Sequence, residues 1–156
     1  MNGKTLVAYF SKSGNTRKAA EAVARESGGN LYEIQIERDY PKSYFMTVIL
    51  GMKEFFRKER SRIKSESVAE FDSYENILLG FPIWYGTCPM AVISFLEKYN
   101  FTGKNVYIFF TSGGARDCSK AKSDIAKVCP AAKIHDGIRL NSNEIQVDRI
   151  KSWLEK

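Results

Sequence analysis

Leu6-Val7-Ala8-Tyr9-Phe10-Ser11-Lys12-Ser13-Gly14-Asn15-Thr16 is the stretch on which the reading of this chain turns. Its first five residues are an apolar run with the character of a buried strand, and a helical pattern starts near Arg17. Between them lies a six-residue turn rich in hydroxyl and amide side chains. A strand, such a turn and a helix together build an anion site, because the turn's N–H groups and the free N–H groups of the first helical turn converge on one spot. The helix dipole adds partial positive charge there. Ser11, Ser13, Asn15 and Thr16 can add side-chain donors, with Lys12 between them, and Gly14 permits a backbone conformation closed to other residues. A phosphate monoester fits this description. So does an ordinary helix cap, since Ser, Asn and Thr cap helices in any case.

Outward from this stretch, apolar runs bounded by turn residues read as buried parallel strands over Thr5–Phe10, Leu31–Ile36, Asn76–Gly80, Val106–Thr111 and Lys133–Ile138. Helical patterns fall between and after them, over Thr16–Glu26, Tyr44–Arg60, Pro89–Tyr99, Ser119–Val128 and Glu144–Leu154. Gly28-Gly29 closes the first helix, and Pro89 suits the opening of a later one. Strand and helix alternating in this way predict an α/β protein with a doubly wound five-stranded parallel sheet. Ligands of such sheets bind at the carboxyl ends of the strands. No internal repeat, linker or low-complexity tract interrupts the pattern, so one domain over residues 1–156 is expected.

Two further loops leave the same end of the sheet. After the third strand comes Phe81-Pro82-Ile83-Trp84-Tyr85-Gly86-Thr87, with two consecutive large aromatics beside a glycine. After the fourth comes Thr111-Ser112-Gly113-Gly114-Ala115-Arg116-Asp117, small and polar. Aromatic side chains are costly to expose, so Trp84 and Tyr85 either pack on their own domain or cover a planar ligand. Gly113 and Gly114 would let backbone amides approach the edge of such a ring.

A phosphate at the first loop, an aromatic wall at the second and small residues at the third describe a site for flavin mononucleotide. On these residues the chain resembles the flavodoxins, most closely the short-chain flavodoxin-like proteins. Ser11-Lys12-Ser13-Gly14-Asn15-Thr16 fits the family's phosphate loop at every specified position. Gly80 to Thr87, with Pro82, Ile83, Trp84, Tyr85 and Gly86, and Thr111-Ser112-Gly113-Gly114 fit its two isoalloxazine loops. The resemblance implies strand order 2-1-3-4-5, noncovalent FMN and electron transfer. It also places a peptide that flips on flavin reduction near Gly86. The departures are a basic charge, where electron-carrier flavodoxins are acidic, and the lack of an aromatic in the loop after the fourth strand. A flavin open on that face would admit a nicotinamide or quinone, so an NAD(P)H-dependent FMN quinone or nitro reductase is the alternative to a carrier serving a redox partner protein. A flavodoxin-fold binding module without flavin is a second alternative, disfavoured by the four donors in one turn.

Composition agrees with a folded protein: 44% hydrophobic and 27% charged residues exclude a disordered chain. The start, Met1-Asn2-Gly3-Lys4, enters a strand at once, which predicts no secretory leader, and no apolar run approaches a membrane span. Cys88, Cys118 and Cys129 are an odd number without metal or redox-pair spacing, which suits a cytoplasmic location and small buried side chains. At the start of a helix pattern, Cys118 could instead carry a lowered thiol pKa. The only histidine, His135, cannot build a metal site alone, and no catalytic residue or metal ligand is assigned. Formal net charge is +6, with a run Arg57-Lys58-Glu59-Arg60-Ser61-Arg62-Ile63-Lys64 that reads as a solvated helix end rather than a nucleic-acid groove. On the helix 44–60, Phe45, Ile49, Met52 and Phe56 form the core stripe, whereas Met46 and Leu50 lie nearly opposite beside Lys53 and Arg57. These two are either isolated exposed residues or a contact surface for a homodimer or an acidic redox partner.

Overall fold

The computed structural model describes residues 2–37, 60–115 and 117–155. The helix expected over Tyr44–Arg60, with its Met46 and Leu50 face, lies outside these residues apart from Arg60. In chain order the elements are strand β1 (Thr5–Tyr9), helix α1 (Asn15–Ser27), strand β2 (Asn30–Glu33), a short 3-10 turn (Phe71–Ser73), strand β3 (Asn76–Pro82), helix α2 (Met90–Lys98), strand β4 (Asn105–Thr111), helix α3 (Ser119–Val128), strands β5 (Lys133–Ile134) and β6 (Ile138–Arg139), and helix α4 (Val147–Leu154).

All ladders between these strands are parallel, in the order β2-β1-β3-β4-β5, with β6 also paired to β4. The expected order 2-1-3-4-5 is therefore present. Because the strands are buried on both faces, successive residues feed two cores. Leu6, Ala8, Ile77, Leu79, Phe81, Val106, Ile108 and Phe110 face α2 and α3. Val7, Tyr9, Leu78 and Phe109 face α1 and α4 through Ala19, Ala20, Val23, Ile150, Trp153 and Leu154. Each fully buried Leu, Ile, Val or Phe contributes roughly 1.5–3 kcal/mol, so this alternation is what holds the strand ends, and the loops on them, in place. Gly80 sits directly across from Phe109, and a Cβ there would come within 2.1 Å of the Phe109 ring. A glycine within a strand is here a seat for an aromatic side chain.

The structure departs from the sequence reading at three edges. β2 stops at Glu33 because the chain beyond it leaves β1 and pairs antiparallel with a later segment, Ile36 against Ile63, with Glu37 N–H donating to Arg62 and Lys64 N–H to Gln35. This covers part of an edge that would otherwise expose unpaired backbone groups. The last helix starts at Val147 rather than Glu144, because the Glu144 carboxylate reaches back to Arg139 and to the Asn141 N–H.

The expected fifth strand is present in two pieces. Asn105 pairs with Lys133, an offset of 28 residues (133 − 105), whereas Phe109 pairs with Ile138, an offset of 29 (138 − 109). One extra residue lies in His135-Asp136-Gly137, and the sixth strand is the fifth resumed after a one-residue shift. His135 stacks on Tyr107, with ring centroids 4.1 Å apart, and shares a hydrogen bond with Asn105 through Nε2. At Gly137 a Cβ would lie 2.3 Å from the Cys118 sulfur, so the shift closes tightly on the α3 side of the sheet.

Candidate functional site

Three loops gather at the carboxyl ends of β1, β3 and β4, where the strand order reverses between β1 and β3. Hydrogen bonds stitch them together. Phe10 N–H donates to the Gly80 carbonyl at 2.9 Å, and Ile83 N–H to the Thr111 carbonyl at 2.9 Å. The Thr16 and Thr111 hydroxyls meet at 2.8 Å in a buried contact.

The first loop ends in an α1 whose N-terminus carries no side-chain cap. Gly14 occupies the cap position at φ 86°, in the left-handed region, and the first intrahelical bond runs from Lys18 N–H to the Gly14 carbonyl. The N–H groups of Asn15, Thr16 and Arg17 precede that bond and have no helical acceptor. Ser11 turns inward, its Oγ accepting the Gly14 N–H at 3.2 Å. Ser13 and Asn15 are exposed and, among the described residues, make no hydrogen bond. Thr16 is buried, its hydroxyl held by Thr111, so it braces the turn as well as supplying an N–H. The expected donors thus divide. Ser13, Asn15 and the helix amides are open, whereas Ser11 and Thr16 shape the turn that presents them.

The second loop is a two-residue turn. Trp84 and Thr87 exchange both backbone hydrogen bonds, at 2.9 and 3.0 Å, with Tyr85 at φ 52° and Gly86 at φ 78° between them. Two positive φ angles define a type I′ turn, which favours Asn-Gly or Gly-Gly. A bulky Tyr at its first central position costs on the order of 1–2 kcal/mol. Trp84 packs edge-on against Phe10, centroids 5.7 Å apart, and lies on the core, whereas Tyr85 is held outward at the tip. The turn is fastened from α3, where Asp124 accepts the hydroxyl of buried Thr87 at 2.8 Å and the ammonium groups of Lys120 and Lys127. Burial raises the Asp124 pKa, but these hydrogen bonds and the Lys120 charge outweigh it and hold the carboxyl below its usual range.

The third loop is organised by residues that sequence reasoning did not single out. The Asn141 side chain brackets Ser112: its Oδ1 accepts the Ser112 N–H at 2.9 Å, and its Nδ2 donates to the Ser112 carbonyl at 2.7 Å. The Ser112 hydroxyl in turn accepts the N–H groups of Gly114 and Ala115. Glu144 accepts the Asn141 N–H and a two-pronged contact from Arg139, whose guanidinium also reaches the Ala115 carbonyl at 3.4 Å. The Arg139 hydrogen bonds keep the Glu144 carboxyl below its ordinary pKa despite desolvation. Of the two glycine amides expected to face a ligand, Gly114 is already bonded within the loop and Gly113 is open. The Asn-Ser-Asn turn cluster at 141–143 signals a loop in sequence, but nothing local ties it to Ser112.

Cys118 does not behave as a helix-start nucleophile. It is buried, and desolvation together with the Asp117 charge raises its thiol pKa. Cys88 is pushed up to about 12 and Cys129 to about 11, in both cases chiefly by burial. All three are free and buried, and serve as small apolar side chains.

Strand order, switch point and the three loops define the class: an open, doubly wound α/β protein of the flavodoxin type. The chain belongs to the flavodoxin family, whose model matches residues 4–156. It is similar to a protein from Bacteroides eggerthii classed as a flavoprotein, with 31% identity, 99% of this chain and 97% of that chain covered, and a TM-score of 0.86. A second, from Bacteroides uniformis and classed in the same way, shares 32% identity over the whole of both chains, with a TM-score of 0.84. A flavoprotein from Lactobacillus acidophilus, solved in complex with FMN, shares 24% identity over 96% of this chain and 99% of that chain, with a TM-score of 0.75, and agrees in fold. A comparison with curated proteins found no match. Among the described residues, no helix is long and apolar enough to cross a membrane.

Proposed function

We propose that this chain binds FMN noncovalently and transfers electrons through it. The observation that carries the reading is the start of α1, where Gly14 leaves three helix amides open beside the Ser13 and Asn15 side chains, which have no partner among the described residues. A phosphate dianion is the ligand chemistry that such a donor set fits. The second loop supplies the complementary feature. Its type I′ turn holds Tyr85 in a costly conformation that directs an aromatic side chain outward, and stored strain of this kind marks ligand sites. In this reading Ser11, Lys12, Ser13, Gly14, Asn15 and Thr16 cradle the phosphate. Pro82, Ile83, Trp84, Tyr85 and Gly86 wall the ring, and Thr111, Ser112, Gly113 and Gly114 meet its polar edge. The bound flavin supplies one- and two-electron chemistry; the protein supplies binding, orientation and electrostatics.

A second reading, an FMN-dependent NAD(P)H oxidoreductase acting on a quinone or nitro compound, draws support from the third loop. Gly113 and Gly114 are exposed, and its described residues include no aromatic side chain to cover a ring. Rapid mixing of the FMN-loaded protein with NADPH separates the two. A carrier keeps its flavin absorbance over seconds, whereas a reductase bleaches within the turnover time typical of enzymes, about 0.1 s.

A further inference from the structure

We propose that Asn141 is a positioning residue for the ring-edge loop, set in register by the one-residue shift between β5 and β6. The inference rests on the FMN reading and goes beyond it, because Asn141 belongs to none of the three loops. Three observations converge on it. With the β6 offset of 29 residues, the position abreast of Ser112 is Asn141 (112 + 29); with the β5 offset of 28 it would be Leu140. Leu140 is fully buried in the core on the α1 side of the sheet, and its N–H continues the ladder to the Phe110 carbonyl. The extra residue at His135-Asp136-Gly137 therefore exchanges an apolar core residue for an amide beside the loop.

The Asn141 amide is matched to what it meets. Its two ends satisfy the N–H and the carbonyl of the same residue, Ser112, at 2.9 and 2.7 Å. That fixes the Ser112 peptide planes, and the Ser112 hydroxyl then draws in Gly114 and Ala115. Among the described residues, Gly113 N–H is left as the open donor of the loop. Glu144, itself gripped by Arg139 and 3.8 Å from Arg149, holds the Asn141 backbone from behind. A donor so placed strengthens as negative charge builds on a reduced ring, so the bracket acts on the reduced ligand more than on the oxidised one.

The test uses the full chain with FMN and measures affinity and reduction potential for the wild type, Asn141→Ala, Asn141→Leu and Asn15→Ala. Asn141→Leu keeps a similar volume, offers Ser112 neither donor nor acceptor and adds no charge that would itself move the potential, and it decides the matter if Asn141→Ala fails to fold. Either Asn141 variant should weaken FMN about tenfold, the order of one net hydrogen bond, and move the potential to more negative values. Asn15→Ala should weaken FMN without moving the potential, since the phosphate does not change on reduction. Asn141 variants with wild-type affinity and potential, or with lowered affinity and an unmoved potential, overturn the positioning role while leaving FMN binding in place. A wild type that takes up no FMN overturns both.

Discussion

The turn after β1 keeps donors open, with Gly14 as a cap that offers no side chain and with Ser13 and Asn15 unpartnered among the described residues, whereas the loop after β4 directs most of its own N–H groups inward. Ser112, Gly114 and Ala115 are each bonded to Asn141 or to the Ser112 hydroxyl, and Gly113 alone of that group remains open. The two loops lie at the same end of one sheet and are joined through Thr16 and Thr111. What differs is where their shape comes from. The first is set mainly by a glycine and a helix start within six residues of sequence; the second depends, besides its own Ser112 hydroxyl, on the Asn141 side chain 29 residues further on. A local device can be left unsatisfied because the backbone of α1 already holds it. A loop of small residues has no such support and takes its conformation from outside.

That difference can be broken from a distance, and the largest expected effect is on Gly137. Its missing Cβ makes room for the Cys118 sulfur, so Gly137→Ala overpacks the register shift and should cost about 1–3 kcal/mol in denaturant unfolding. The loop after β4 should loosen with it. Amide exchange at Gly114 and Ala115 should accelerate while the α1 amides from Lys18 onward keep their protection. Equal acceleration in both regions would show that the two loops do not differ in the way described.

Asn15→Ala sharpens the comparison from the other side. It should leave stability within roughly 0.5 kcal/mol of the wild type, because Asn15 is exposed and braces nothing among the described residues. If its amide meets a phosphate, FMN affinity should fall about tenfold to a hundredfold, the loss of one hydrogen bond to a charged group. Calorimetric titration beside thermal melting reads both effects in one preparation.

The smallest effect concerns the fastening of the aromatic turn. Asp124 has a lowered pKa in the folded protein, so its contribution is fully present above the ordinary Asp range and is lost only as pH falls through the depressed value. Melting temperatures of wild type and Asp124→Asn should therefore differ at neutral pH and converge in acid. A gap that persists to the lowest pH at which the protein stays folded would remove the charge from the account.

Legibility in the sequence follows the same division. The alternation of strands and helices, the polar turn after β1 and the two other loops could be read because each depends on a local pattern: apolar runs, a glycine at a helix start, paired aromatics; the strand order came only with the family resemblance. Other features could not. The strain at Tyr85 is a backbone angle that a Tyr-Gly pair does not announce. The break between β5 and β6 is one residue in a run that otherwise reads as continuous strand. Asn141 and Glu144 act through contacts with Ser112 and Arg139 that exist only once the ladder has been registered. Cys118 shows a competition that sequence could pose but not decide: helix-start position lowers a thiol pKa, burial raises it, and here burial wins.

Comparison of FMN with riboflavin tests the central claim most directly, since the two differ only in the phosphate. Several charge-assisted hydrogen bonds, each worth roughly 1.5–3 kcal/mol, converge at the start of α1 in this account, so calorimetry should find riboflavin weaker by about a thousandfold or more. Equal affinity for the two, or no uptake of either, would contradict it.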